Sequence, residues 1–193
     1  MKIRTLAAAA TMALAATTGA HAATVWSDNF DADARGLNAV PAGWTVANAG
    51  TVDVIGTGFF DEIPGNGNYI DLDGSNGVAG LLTRGASVGA GTYTATFSLG
   101  GNHRDGSTDL VTVNFGGSSQ TFSVGPNDAF TTYSLTTAAA AGDLSLSFVD
   151  GRNGNIGALL DNITVASAVP EADSAVLLGL GLAAVGMARR RRA

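Results

Sequence analysis

Asp71 and Asp73, two residues apart in "NYIDLDGSNG", are the closest approach in this chain to a catalytic carboxylate pair. Two such groups hydrolyse glycosides when one is protonated, the other ionised, and a sugar lies between them. In an extended segment, residues two apart share a face. Here Ile70 and Leu72 take the opposite face, so two solvated charges on one surface are expected. The segment also fails as a calcium loop of the EF-hand kind: counted from Asp71, the sixth position is Asn76 and the twelfth is Leu82, where a glycine and an acid are needed. His103, in "GGNHRDG", is the only histidine between Ala23 and Ala168, and the chain has no cysteine. Histidine triads and histidine or cysteine metal sites therefore lack their parts. His103 reads as a solvated loop residue, with a ligand contact at a loop tip as the alternative. No catalytic residue is assigned.

Two further acids stand on apolar faces. In "GALLDNITV", Asp161 alternates with Leu159, Ile163 and Val165; in "VWSDNFD", Asp28 alternates with Trp26 and Phe30. A carboxylate on a buried face must be paired or protonated, and arginine partners are scarce. Asp28 and Asp161 could meet over one Ca²⁺ if the first and last strands lie together. Otherwise a bulge or strand end turns each acid outward. Phe59, Phe60 and Tyr69 flank the loop "DEIPGNGN". They are candidates for a sugar-stacking platform if exposed, and core residues if not.

The elements that must position these groups are strands. "GTYTATFSL" places Tyr93, Ala95, Phe97 and Leu99 on one face and Thr and Ser on the other. "DLVTVNF", "QTFSV" and "GDLSLSFV" alternate in the same way, a period of two that marks half-buried antiparallel strands. Turn clusters "GGNHRDGS", "GGSS", "GPND" and "DGRNGN" separate them. Residues 137–142, "TAAAAG", read as a loop. The fold class is all-β: an antiparallel β-sandwich or jelly roll. A single-sheet solenoid is disfavoured because no fixed repeat is present.

Between Ala23 and Ala168 there are four arginines, no lysine and fourteen acids, a net charge of 4 − 14 = −10. So acidic a body has no electrostatic draw toward nucleic acid or anionic lipid. The two ends differ. "MKIRTLAAAATMALAATTGAHA" has basic residues, an apolar run and the small-x-small site Ala20-His21-Ala22, the layout of a secretory signal peptide over residues 1–22. The expected domain then runs from 23 to 168. The remainder, 169–193, is "VPEA", an apolar run and Arg189, Arg190, Arg191 and Arg192. From Ser174 to Ala188 a short C-terminal transmembrane helix is expected, about 22 Å long; against a hydrocarbon core of about 30 Å it is a marginal span that snorkelling arginines would help to fit. The arginines would hold the C-terminus in the cytoplasm.

That tail resembles the sorting signal of PEP-CTERM proteins. Val169, Pro170 and Glu171 match its motif, and Ala172 stands where the family has a second proline. The resemblance implies recognition and removal by an exosortase, transient attachment to the inner membrane of a Gram-negative bacterium, and then a cell-surface or extracellular location with exopolysaccharide or biofilm. "DNFDADARGLNAVPAGWTV" and "LLDNITV" resemble the opening and closing strands of galactose-binding-like jelly rolls, some of them carbohydrate-binding modules. That resemblance implies a structural Ca²⁺ near the first and last strands and names no ligand. The reading is a non-enzymatic exported matrix protein. A carbohydrate-binding module with a defined glycan, and a glycan hydrolase or lyase, are the alternatives.

Overall fold

The computed structural model describes residues 22–168. The expected leader up to His21 and the expected tail from Val169 lie outside them, as do Val169–Ala172 and Arg189–Arg192. Eleven strands follow one another: β1 (Thr24–Asp28), β2 (Thr45–Ala47), β3 (Asp53–Gly56), β4 (Asn68–Asp71), β5 (Leu81–Val88), β6 (Gly91–Gly100), β7 (Asp109–Phe115), β8 (Ser118–Val124), β9 (Thr131–Ala139), β10 (Gly142–Asp150) and β11 (Leu159–Ser167). They form two antiparallel sheets. One runs β3-β4-β11-β6-β9 with β1 also paired to β11; the other runs β2-β5-β10-β7-β8. The chain crosses between sheets repeatedly, which is the jelly-roll form of the sandwich. No helix among the described residues is long and apolar enough to cross a membrane.

The alternating segments bury their apolar faces as their spacing predicts. Tyr93, Ala95, Phe97 and Leu99 of β6, Val111, Val113 and Phe115 of β7, Phe122 and Val124 of β8, and Leu144, Leu146 and Phe148 of β10 all enter one core. At its centre Phe97 meets Phe122 and Phe148 edge to face, at centroid distances of 5.4 and 5.2 Å. The outward faces carry hydroxyls that pair across strands: Thr94 with Thr136 at 3.0 Å, Ser98 with Thr132 at 3.2 Å, Thr112 with Thr121 at 3.1 Å. The turn between β7 and β8 is two residues long, with Phe115 opposite Ser118. It needs the positive φ of 54° at Gly116. Residues 137–139 differ from expectation. They continue β9 rather than forming a loop, because β6 is long enough to pair with them as far as Gly91 opposite Ala139.

A smaller cluster lies on the other side of the first sheet. Ile55, Tyr69 and Leu159 are buried there beneath Phe59, Ile63 and Phe130. The segment after β3 thus folds back over its own sheet and hides a face that would otherwise be wet. β11 contributes to both layers, Leu159 and Leu160 by ordinary alternation, and then bulges. Asn162 has φ of 50°, and the register against β6 shifts between Asp161 and Thr164. Leu160, Ile163 and Val165 point into the main core, whereas Leu159 serves the smaller cluster. The bulge resolves the alternation: Asp161 does not share the face of Ile163 and Val165.

Candidate functional site

Asp71 and Asp73 are not a solvated pair. The alternation of β4 is as expected, with Ile70 and Leu72 in the main core. The other face is roofed by two loops distant in sequence, and both acids are fully shielded from solvent. Asp71 accepts hydrogen bonds from the main-chain N–H of Gly157 at 2.8 Å and of Asp73 at 3.1 Å, and from Asn102 Nδ2 at 2.9 Å. Arg104 Nη1 lies 3.6 Å from its Oδ2. Burial pushes the Asp71 carboxyl well above its ordinary range, against the lowering effect of those N–H groups. It ties the β6–β7 and β10–β11 loops to β4. Sealed in this way, the pair has no route to a polysaccharide substrate.

More acids gather beside it. Asp150 accepts from the N–H of Arg152 and of Ala158, both at 3.0 Å. Arg152 donates to Asp109 at 3.0 Å and to Asp105 at 2.7 Å. Burial, and then the charge of Asp150, push the Asp109 carboxyl up to about 7. Asp53 is satisfied by Asn38 N at 2.7 Å and by Ser75 N and Oγ at 3.1 and 2.7 Å.

Over this acidic floor lies a mixed rim. Phe60 is the one strongly exposed aromatic ring among the described residues, 48% accessible. Its φ is +49°, a left-handed conformation costly for a bulky side chain and often found where strain serves a site. Phe59 braces it edge to face at 5.0 Å, and the Arg104 guanidinium stands 5.6 Å from its centroid. Phe59 also lines an open groove with Asp31, Asp33, Arg35 and Asn68. His103 is exposed in the neighbouring loop. Tyr69 is different: it is fully buried, accepts from Ile63 N at 2.9 Å and donates to Asp61 Oδ1 at 3.1 Å. Burial pushes its hydroxyl up to about 12. Its ring packs on Phe130 at 5.5 Å and offers no face to a sugar.

Asp28 and Asp161 are brought to one region, since β1 pairs with β11 and Asp28 stands opposite Ile163. An open depression there is lined by Ser27, Asp28, Asn29, Asn162, Ile163 and Thr164. Asp28 has found an arginine. Its Oδ2 accepts from Arg84 Nη1 at 2.7 Å and Trp44 Nε1 at 2.9 Å, and its Oδ1 from Phe30 N at 3.0 Å. Arg84 also stacks on Trp26, 4.5 Å from its centroid. Asp161 is buried and, among the described residues, accepts only from its neighbour Asn162, through N at 2.6 Å and Nδ2 at 2.9 Å. Burial, with the charges of Asp31 and Asp28, pushes it up to about 7.

The sequence reading did not single out Arg84, Arg104, Arg152, Asp109 or Asp150. One signal pointed to the arginines: four of them among fourteen acids leave each with carboxylates to choose from.

The described residues are a two-sheet jelly-roll sandwich of the kind seen in carbohydrate-binding and adhesin domains. The fold is similar to the CBM22-1 xylan-binding domain from Paenibacillus barcinonensis Xyn10C, with 12% identity, a TM-score of 0.54, and coverage of 77% of this chain and 97% of that one. It is similar also to the K3 cleaved adhesin domain of Lys-gingipain from Porphyromonas gingivalis W83, with 15% identity, a TM-score of 0.51, and coverage of 75% and 100%. At such identities the likeness is one of fold. No protein-family model and no curated protein matches the chain.

Proposed function

We propose that this protein is a non-catalytic exported module that binds extracellular polysaccharide, with Phe60 as its stacking ring. The exposed, strained Phe60 beside Arg104 carries this reading. An aromatic ring offers its face to the C–H side of a sugar, and a guanidinium offers several fixed hydrogen-bond donors to hydroxyls or uronates. The fold supports it, since a xylan-binding domain is built the same way. Phe60→Ala should weaken binding to soluble xylan or to exopolysaccharide from the producing cells by on the order of tenfold. The variant keeps the left-handed backbone position and loses the contacts with Phe59 and Arg104, so its stability should fall by only about 1 kcal/mol. Unchanged binding in an affinity gel or by calorimetry would remove Phe60 from the reading.

Sorting by an exosortase belongs to the same proposal and rests on the tail resemblance. The mature protein should begin at Ala23 and end near Val169–Ala172, with Arg189–Arg192 removed. Mass spectrometry of the protein from its own host reads both ends. A mature chain that keeps the four arginines in a host with an exosortase overturns the sorting proposal.

The Ca²⁺ expected where the first and last strands meet is likewise a proposal. Asp161 accepts only two hydrogen bonds, so its carboxylate keeps lone pairs free. Asp28 is committed to Arg84, so of the expected pair Asp161 is the acid left to take such an ion; Asp31, whose charge acts on Asp161, itself accepts from Asn29 Nδ2 and Asn68 N. When bound, the ion would supply positive charge to a buried acid.

A further inference from the structure

Among the described residues, the buried side-chain oxygens without a hydrogen-bond partner are the two of Asp73. That carboxyl is completely shielded from solvent, a condition a carboxylate sustains only with a partner. The β10–β11 loop closes tightly over it. A Cβ on Gly157 would lie 2.6 Å from Asp73 Cβ and 3.0 Å from Asp150 Oδ2. A Cβ on Gly154 would lie 3.1 Å from Asp73 Oδ2. Two bare positions in the loop thus let a second acid approach the first. Asp150 is no partner for an ionised Asp73, and the nearby Arg152 is engaged by Asp105 and Asp109. Burial, followed among charges by Asp150, pushes Asp73 up to about 6, and the Gly154 main chain relieves it only in part.

We propose that Asp73 and Asp150 are the carboxylate ligands of a Ca²⁺ ion that pins the β4–β5 loop to the β10–β11 loop. The donors are all oxygen, which suits a hard cation. Ca²⁺ accepts irregular shells rich in main-chain carbonyls, while Mg²⁺ demands a near-octahedral shell and keeps several waters, for which a sealed site has no room. No three acidic or histidine side chains among the described residues converge on one point. The other ligands would therefore be main-chain carbonyls of the two Gly- and Asn-rich loops, 74–77 and 151–155. The ion would neutralise the buried pair and hold the loops under the rim that carries Arg104 and Phe60. This inference does not depend on glycan binding.

The test is thermal unfolding of the whole protein at pH 7.5 in EDTA and in millimolar CaCl₂, with the bound Ca²⁺ counted by calorimetry. At a hundredfold excess over Kd, one ion should raise Tm by on the order of 5–10 °C. Asp73→Asn should lose one bound ion and its share of the shift, and melt in EDTA no lower than the parent, since a neutral amide replaces an unpaired charge. If Asp73→Asn does not fold, Asp150→Asn should show the same loss of one ion. Asp161→Asn separates the two sites: it should keep the ion held by Asp73. Overturning results are a parent that binds no Ca²⁺ and melts alike in both buffers, or an ion count unchanged in both Asp73→Asn and Asp150→Asn.

Discussion

Phe97→Ala is expected to lower the unfolding free energy by about 3–5 kcal/mol, the range for a large aromatic truncated in a packed core. Phe97 sits on β6, paired with β9 on one side and β11 on the other. Its ring contacts Phe122 and Phe148 from the opposing sheet and Tyr133 of β9 at 6.3 Å. Removing it leaves three rings facing a void that neighbouring backbone, locked in two ladders, cannot close. For a domain of this size the loss corresponds to a fall in Tm on the order of 10 °C. It is a large share of a typical stability of about 5–15 kcal/mol. Denaturant unfolding of the variant reads the effect directly. A change below about 1 kcal/mol would show that the two sheets do not meet through this ring.

The second large effect is one of pH, measured in EDTA. Asp73 is raised to about 6 and Asp109 and Asp161 to about 7, each first by burial. The surrounding charges are Asp150, Arg152 and Asp53 for Asp73; Asp150, Arg152 and Asp105 for Asp109; Asp31 and Asp28 for Asp161. The folded state therefore holds protons that the unfolded chain has released. Stability from these groups is fully present below the ordinary carboxylate range, near pH 4. It declines as pH rises and is gone once pH has passed the folded-state values. One extra proton held over one pH unit is worth about 1.4 kcal/mol, so the summed loss between pH 5 and pH 7.5 should be on the order of a few kcal/mol. Asp105 works in the opposite sense: the Ser107 N–H, and then Arg152, lower its pKa, so its contribution disappears only in acid. Most proteins with ion-paired acids gain stability over this range, so the sign is diagnostic. Asp161→Asn should make the profile shallower without abolishing it, because the amide carbonyl still accepts from Asn162 N and no longer titrates, while Asp73 and Asp109 still do. A Tm that climbs from pH 5 to pH 7.5 in EDTA would contradict the assignment of these acids as buried and protonated.

These two results concern different parts of the molecule, and the sequence spoke unequally about them. Alternation along residues 92–99, 109–115, 120–124 and 143–149 is a local property: each segment carries its own apolar stripe, whatever its neighbours do. It was enough to determine an all-β sandwich, the inward residues Phe97, Phe122 and Phe148, and the turns between them. The hydroxyl-rich outer faces followed from the same period. Composition alone determined that acids would outnumber their cationic partners.

Where each acid ended up was decided by tertiary structure. Asp71 lies on the outward side of β4 as its spacing requires, yet it is sealed because Asn102 and Gly157, 31 and 86 residues away, close over it. Tyr69 was hidden in the same way by the segment that folds back over β3 and β4. Asp161 kept its burial but changed faces, since one residue in the left-handed region at Asn162 reset the alternation of β11. Asp28 met Arg84, 56 residues on, and only the pairing of β1 with β11 set it near Asp161. Period-two patterning specifies which way a side chain points from its own strand. It carries no information on what covers the far face, because that depends on loops whose paths are set by the packing of the two sheets.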